Sequence, residues 1–174
     1  CILGGTGGTV DNLYCFGENT YTQLGTNVST NFVATPTQVF GGGSYSYITN
    51  GLNHACATTT AGVTNCWGDH AKGQIGNNIA AGVPYDTPQA TKDLSNTSVA
   101  NLTNITAGDK FTCALDSSSD FQCWGDGIAG QLGNSTNTSL IYIPDPVTES
   151  FTKIESGTEF TCALGSDNLI YCWG

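Results

Sequence analysis

Apolar and polar side chains alternate along two short segments that flank a turn near the middle of the chain. Phe, Cys and Leu occupy alternate positions in residues 111–115, and Phe and Cys do so in residues 121–125. Between the two segments, residues 116–120 carry the Asp and Ser side chains that favour turns. A period of two on both sides of a turn predicts a β-hairpin. Because no segment has a convincing helical period, we predict an all-β fold.

The same hairpin pattern occurs four times along the chain. Its second arm contains a cysteine followed by an aromatic residue and a glycine. These second cysteines lie 51, 57 and 49 residues apart, at Cys15, Cys66, Cys123 and Cys172. A period near 50 residues is typical of a propeller, a solenoid or an array. The predicted repeats span residues 1–47, 48–104, 105–153 and 154–174, and the last one is truncated.

Two further landmarks keep the same register from repeat to repeat. A glycine precedes the first cysteine by five residues, at Gly51, Gly108 and Gly157. A glutamine follows the second cysteine by eight residues and opens a Gln-Leu-Gly or Gln-Ile-Gly turn, at Gln23, Gln74 and Gln131. Because these landmarks recur together, we interpret each repeat as one structural unit.

The eight cysteines fall into four pairs, one pair in each hairpin. Folding the third hairpin about Ser118 places Cys113 opposite Cys123, and facing Cβ atoms in such a pair lie about 4.5–5.5 Å apart, which is close to disulfide reach. The predicted disulfides are Cys1–Cys15, Cys56–Cys66, Cys113–Cys123 and Cys162–Cys172. Zinc sites fit less well, because their thiolates are usually separated by roughly two to four residues; buried free cysteines are the other alternative. Disulfides imply an oxidising compartment, so we expect an extracellular or cell-surface location.

Composition and charge exclude several functional classes. The formal net charge is −10, with four lysines and no arginine. Nucleic-acid binding requires a basic surface, so we expect no nucleic-acid partner. No apolar run approaches the roughly 18 residues of a membrane-spanning helix. The sequence contains no pattern typical of a catalytic centre, a metal site or a cofactor site, and we therefore predict a non-enzymatic protein without a cofactor.

The chain contains six Asn-x-Ser/Thr motifs, which are acceptors for N-linked glycans in secreted eukaryotic proteins. The candidate glycosylation sites are Asn27, Asn96, Asn101, Asn104, Asn134 and Asn137. Three of them, Asn27, Asn134 and Asn137, follow the Gln-Leu-Gly turn, and we expect modification first at Asn27 and Asn134. In a bacterial protein these motifs would carry no such meaning.

The repeat resembles that of the regulator of chromosome condensation family. The resemblance rests on Ile-x-x-Gly-x-x-His/Phe-x-Cys-Ala-Leu, a short loop, and Cys-Trp-Gly followed five residues later by Gly-Gln-Leu-Gly. It covers nearly the whole chain and is weakest in residues 1–17 and 77–104. It implies a seven-bladed β-propeller of four-stranded antiparallel blades, of which three and a fraction are present as an incomplete ring. The paired cysteines, the acidity and the glycosylation motifs make the chain look like a secreted variant of this family and argue against nucleotide exchange on a GTPase.

Several side chains have both a structural and a functional interpretation. The aromatic residues after the second cysteines are predicted to form the core between blades, with a sugar-binding platform as the alternative: Phe16, Trp67, Trp124 and Trp173. His54 stands where the next repeats have Phe111 and Phe160, so we interpret it as packing. Glu18, Asp69 and Asp126 follow the glycine of the second arm; we favour turn carboxylates over a cation site.

Two functional hypotheses follow from these observations. The first is an extracellular structural or adhesive module that belongs to a larger or filamentous glycoprotein assembly. Its partners would be further copies of the chain or the remaining blades of a longer polypeptide, because the chain begins inside a repeat and we expect a processed or truncated piece. The alternative is a soluble propeller that binds or inhibits a protein partner through one rim.

Overall fold

The computed structural model describes residues 1–5, 12–41, 43–93, 95–134 and 150–174, and the backbone of residues 140–144. The described residues form strands, turns and loops but no helix, so they contain no helix long and apolar enough to cross a membrane. All strand pairs are antiparallel. The predicted all-β class is therefore confirmed.

The strands form four sheets that follow one another along the chain, and we call them blades 1 to 4. Blade 1 contains β1 (Ile2–Gly4), β2 (Asn12–Glu18) and β3 (Phe32–Gln38). Blade 2 contains β4 (Tyr45–Asn50), β5 (His54–Thr59), β6 (Thr64–His70) and β7 (Gly82–Ala90). Blade 3 contains β8 (Thr103–Ala107), β9 (Phe111–Leu115), β10 (Phe121–Gly125) and β11 (Leu140–Pro144). Blade 4 contains β12 (Phe151–Ser156), β13 (Thr161–Gly165) and β14 (Ile170–Trp173).

Within each blade the strand order follows the sequence, as in a meander. In each of blades 2 and 3, the two strands that carry the cysteines are the two middle strands of the sheet. In blade 1 the described residues contain the equivalents of β5, β6 and β7, and in blade 4 they contain the equivalents of β4, β5 and β6. The predicted incomplete propeller of antiparallel blades is confirmed, whereas the residue bounds of the individual repeats stay a prediction.

The four disulfides have the predicted pairing, each within one hairpin. The strand register explains the pairing, because Cys56 faces Cys66 and Cys113 faces Cys123 across the ladder. In the first hairpin, Leu3 faces Leu13. The longer loop of this hairpin therefore leaves the cysteine register intact.

The hydrophobic core lies between the blades. One cluster joins blades 1 and 2, a second joins blades 2 and 3, and a third joins blades 3 and 4. Middle blades thus bury both faces, and all five residues of both β9 and β10 are buried. A strand buried on both faces cannot alternate strictly between apolar and polar residues, which explains Trp124 beside Cys123.

Candidate functional site: the blade interfaces and the open blade faces

The Gln of the repeated turn caps its own backbone. Its Oε1 accepts the N–H of the residue two positions earlier: Tyr21 to Gln23 (2.8 Å), Lys72 to Gln74 (2.8 Å) and Ala129 to Gln131 (2.9 Å). This hydrogen bond stabilises the turn, although the Nε2 atom of Gln74 is buried without a hydrogen-bond partner among the described residues. The capped turn also holds the glutamine's own backbone carbonyl toward the next blade.

Each of these glutamine carbonyls accepts the indole N–H of a tryptophan in the following blade. The Nε1···O distances are 3.0 Å from Trp67 to Gln23, 3.0 Å from Trp124 to Gln74 and 3.1 Å from Trp173 to Gln131. The glycine two residues after each glutamine lies against the indole. At Gly76 an added Cβ would come within 2.6 Å of Nε1 of Trp124, so a larger residue cannot occupy this turn without displacing the ring.

The structure places the three tryptophans between blades. Trp67 and Trp124 are fully buried, and Trp173 is half-buried against the cluster of blades 3 and 4. Phe16, the fourth aromatic residue of this set, is 46% exposed, and its place between two blades stays a prediction. Phe16 lies on the side of blade 1 that faces a preceding blade in the other repeats. The described residues contain no such blade, and a phenyl ring has no N–H to donate.

A threonine adds a second hydrogen bond at two of the three interfaces. Thr112 Oγ1 donates to Gln74 O and Thr161 Oγ1 donates to Gln131 O, both at 3.0 Å. Blade 2 has Ala55 at this position. The carbonyls of Gln74 and Gln131 therefore each bind an indole and a hydroxyl of the next blade.

His54 extends this network from blade 2 to blade 3. Its Nε2 lies 2.9 Å from Thr112 Oγ1, and because the threonine hydroxyl donates to Gln74, Nε2 donates to the hydroxyl. Burial lowers the pKa of His54 to about 4, and the Asp69 carboxylate and the Asp109 backbone oppose this shift only in part. His54 is thus neutral and acts as packing, which agrees with Phe111 and Phe160 at the equivalent positions.

Side chains also join the inner strands of neighbouring blades. Thr49 Oγ1 accepts the N–H of Ala107 (3.2 Å), and Thr106 Oγ1 accepts the N–H of Ser156 (2.9 Å). The side-chain oxygen of Asn104 accepts the N–H of Ile154. Nothing in the sequence pattern indicated these contacts between blades, because a Thr or Asn on an exposed strand has the same local sequence.

The disulfide and the tryptophan of a hairpin lie on opposite faces of the blade. The disulfide faces the next blade, and the tryptophan faces the previous one. In blades 2 and 3 all four cysteines are buried, whereas Cys162 is half-buried and Cys172 is exposed. The fourth disulfide is accessible because the described residues hold no blade beyond blade 4.

Within the part of the chain that the structure describes, two blade faces have no neighbouring blade. We call the leading face the side of blade 1 formed by Ile2, Tyr14 and Phe16, and the trailing face the side of blade 4 formed by Phe160, the Cys162–Cys172 disulfide, Leu164 and Ile170. Cross-strand pairing confirms that Ile2 and Tyr14 share one face and that Leu164 and Ile170 share another. Both faces expose large apolar side chains.

The candidate glycosylation sites divide into two groups. Asn27, Asn96 and Asn101 are exposed and adopt positive φ angles of 54°, 61° and 62° in turns. Asn104 is half-buried and accepts the hydrogen bond from Ile154. The Nδ2 atom of Asn134, which would carry the glycan, is buried, and this argues against the early modification expected at Asn134. Asn137 lies outside the described residues.

Two of the three acidic residues of the second arms, Asp69 and Asp126, act as turn carboxylates. Asp69 accepts the N–H of Ala71 at 2.9 Å, and Asp126 accepts the N–H of Ile128 at 3.3 Å and lies 3.4 Å from Lys72 Nζ. Within the described ranges, no group of three or more His, Cys, Asp or Glu residues could hold a metal ion.

Comparisons with known proteins agree with this architecture. No protein-family model matches the chain. It is 29% identical to the human E3 ubiquitin-protein ligase HERC2 over 133 residues, which cover 74% of this chain and 3% of HERC2. It is also 29% identical to the X-linked retinitis pigmentosa GTPase regulator of Canis lupus familiaris over 143 residues, covering 79% of this chain and 13% of that protein. The chain thus spans a small part of the length of the curated relatives that it matches.

The fold has a close counterpart among solved structures. Yeast RCC1 (Prp20), solved in complex with Kap60, superposes with a TM-score of 0.76 at 20% identity, covering 95% of this chain and 40% of Prp20. At this identity the likeness concerns the fold. The chain therefore resembles the regulator of chromosome condensation repeat family in sequence and in fold, and its four sheets are blades of a β-propeller of that type.

Proposed function

We propose that this chain is a structural or adhesive module of an extracellular glycoprotein assembly, in which further blades cover its two open faces. The observation that carries the proposal is the pairing of all eight cysteines within their own blades. Disulfides of this kind persist in oxidising compartments. Each closes a short loop and contributes roughly 2–3 kcal/mol.

The exposed turns and the open faces support the same proposal. Three glycosylation motifs lie on exposed turns, where loops tolerate bulky additions. The leading and trailing faces carry apolar side chains that other blades would bury, and such patches mark interaction surfaces. The described polar side chains brace turns and join blades, so the proposed role is structural and not catalytic.

The experiment compares the 174-residue chain secreted from eukaryotic cells with the same chain retained in the cytosol of those cells. We expect the secreted chain to have four disulfides and added glycan mass, and to unfold cooperatively. The matched control replaces both Cys113 and Cys123 with Ser, and this variant should be retained or degraded. A cytosolic chain with free thiols and the same resistance to urea would contradict the extracellular proposal.

A groove at one end of the interface between blades 2 and 3 favours the alternative role, binding of a protein partner through one rim. The groove encloses about 430 Å³ and is lined by uncharged residues that include Tyr47, Thr60, Asn101 and Ser117. In a chain with a net charge of −10, an uncharged groove suits a neutral polar surface. Tyr47 is exposed and offers an aromatic ring, which is common at interfaces.

A photo-crosslinking residue at Ser117 distinguishes the two roles. One dominant crosslinked product with another extracellular protein, absent when the crosslinker is moved to exposed Thr35, would support rim binding. Crosslinks from the open faces to further blades, with none from Ser117, would favour the structural role.

A further inference from the structure

The groove at the interface between blades 2 and 3 is lined mainly by hydroxyl groups. Each of these blades packs against a neighbour on both sides, so internal blades form the groove. Six serine and threonine side chains, two asparagines and the ring of Tyr47 line a volume of about 430 Å³, and none of the described residues around it is charged. Hydroxyl and amide groups bind sugar hydroxyls by hydrogen bonds, and an aromatic ring offers an apolar surface to the C–H groups of a sugar.

Two of these hydroxyl groups are already oriented by the backbone. Ser46 Oγ donates to Thr58 O, and Thr103 Oγ1 donates to Leu115 O, both at 3.2 Å. Their oxygen atoms keep lone pairs and remain acceptors for the O–H and N–H groups of a sugar. The nearby carboxylate of Asp116 is occupied within its own turn, where Oδ1 accepts two backbone N–H groups. The groove therefore suits an uncharged ligand with many hydroxyl groups.

One wall of the groove carries a glycosylation motif in a fixed position. The N–H of Asn101 donates to Gly62 O at 2.9 Å, and the preceding residue Ala100 pairs with Val63. The following residue, Leu102, is buried in the cluster between blades 2 and 3. Asn101 itself is exposed. A glycan on its side chain would therefore start at the groove, from a backbone that is anchored on both sides.

The other glycosylation motifs differ from Asn101 in this respect. Asn27 and Asn96 are exposed, but they do not line the groove. Asn104 lines it, but this residue is half-buried and its side-chain oxygen accepts the N–H of Ile154. Asn101 thus combines an accessible side chain with a place on the groove wall.

We propose that the groove between blades 2 and 3 holds the glycan attached to Asn101, with its first sugar, an uncharged N-acetylglucosamine, against Tyr47 and the hydroxyl groups. The inference rests on the proposed function, because it requires a chain that is secreted and glycosylated. It names the occupant of the groove as the chain's own glycan, which covers the surface that a protein partner would otherwise contact. Because a tethered ligand binds at high effective concentration, its individual contacts can be weak.

Hydroxyl-radical footprinting of the secreted 174-residue chain tests this placement. The side chain of Tyr47 is 42% exposed when no glycan is attached. We expect it to lose most of its reactivity in the wild-type chain and to regain it in Asn101→Gln. Tyr21, which is 41% exposed, should react equally in both chains. Asn96→Gln is the matched variant, because Asn96 is exposed and has nearly the same φ as Asn101, 61° against 62°; it should leave Tyr47 protected.

A double-mutant cycle measures the same contact by its effect on stability. Urea unfolding gives the effect of Tyr47→Ala in the wild-type, N101Q and N96Q chains. We expect Y47A to change the unfolding equilibrium constant at least roughly fivefold more when Asn101 carries its glycan than in N101Q. The effect in N96Q should equal that in the wild-type chain. Disulfide mapping of each variant establishes that the blades are folded.

Three results overturn the inference and leave the extracellular location standing. Equal reactivity of Tyr47 in the wild-type chain and N101Q, with additive effects in the cycle, would place the glycan in solvent. Glycans at Asn27 and Asn96 beside an unmodified Asn101 would remove the occupant. A crosslink from Ser117 to another protein, in a chain that carries the Asn101 glycan, would show that a protein partner fills the groove. A secreted chain without any glycan would instead contradict the glycoprotein proposal itself.

Discussion

Blades 3 and 4 carry nearly the same hairpin but bury it very differently. Phe111, Leu115 and Phe121 of blade 3 are 0%, 2% and 5% exposed, whereas their equivalents Phe160, Leu164 and Ile170 in blade 4 are 51%, 36% and 74% exposed. The disulfide and the strand register are the same in both. The hairpin therefore sets which side chains share a face, and the neighbouring blade sets whether that face is buried.

This difference has an energetic consequence. Full burial of a large apolar side chain contributes about 1.5–3 kcal/mol, and blade 4 gains only part of this. Regions with few buried apolar groups open at lower free energy than the rest of a protein. We expect blade 4 to exchange its amide protons before blades 2 and 3, and the predictions below test this contrast.

The largest effect is expected from the tryptophans. Trp124→Ala removes a fully buried indole and its hydrogen bond, and it should cost about 3–5 kcal/mol of unfolding free energy. Trp173→Ala, at the half-buried equivalent, should cost clearly less, and Phe16→Ala should cost least. Urea unfolding of the three variants measures the order. Equal costs at all three positions would show that the end blades are as well packed as the middle ones.

The second prediction concerns His54 and pH. Its folded pKa of about 4 lies below the ordinary value of 6.5, so the unfolded chain binds the proton more tightly. Stability should be full above about pH 6.5 and fall as the pH drops toward 4, by roughly 3 kcal/mol if the whole shift is realised. Unfolding curves across this range measure the loss.

His54→Phe is the matched control for this titration, because blades 3 and 4 have phenylalanine there. The variant should lose most of the pH dependence between 6.5 and 4 and keep its fold. If its stability still falls by the same amount, other groups cause the acid sensitivity and the buried imidazole is not responsible.

The third prediction compares the disulfides. A mild thiol reductant should reduce Cys162–Cys172 first, because Cys172 is exposed, and Cys56–Cys66 and Cys113–Cys123 later, because both are buried. Loss of one such bond costs roughly 2–3 kcal/mol. Timed alkylation followed by peptide mapping gives the order. Simultaneous reduction of all four would mean that the blades open together and that blade 4 is not distinct.

The smallest effect concerns the asparagines. When the chain is secreted from eukaryotic cells, glycopeptide mass spectrometry should find glycans at Asn27, Asn96 and Asn101 and none at Asn104 or Asn134.

Asn96→Gln should change the unfolding free energy by less than about 0.5 kcal/mol. Asn104→Ala should cost about 1–3 kcal/mol, because the N–H of Ile154 loses its partner. Full occupancy at Asn104 would show that its side-chain nitrogen is more accessible than its half-buried position implies.

The sequence predicted the parts of the fold that depend on local periodicity. Alternation around residues 116–120 predicted the hairpin, and the facing positions of Cys113 and Cys123 predicted the disulfide. The pattern also located Gln74 and Gly76, but it did not show what these residues do. Gln74 caps the turn, and Gly76 leaves room for the indole that packs against it.

Contacts between distant residues escaped the sequence for a physical reason. Thr112 and Asn104 look like ordinary strand residues, and their hydrogen bonds appear only when blades stack. Phe16 was predicted as core because it shares a motif with Trp124. A motif reports on its own hairpin, whereas burial depends on a neighbour that the motif does not describe.

The placement of the disulfides has a mechanical consequence. No bond links two blades, and each bond joins cysteines 10 or 14 residues apart within one hairpin. When the chain is pulled from its ends, the blades can separate, but each disulfide prevents the residues between its two cysteines from extending. For a ten-residue hairpin this shortens the fully extended chain by about 35 Å, at roughly 3.5 Å per residue. A stretched chain therefore keeps four preformed hairpins, and the blades can reassemble from them when the load is released.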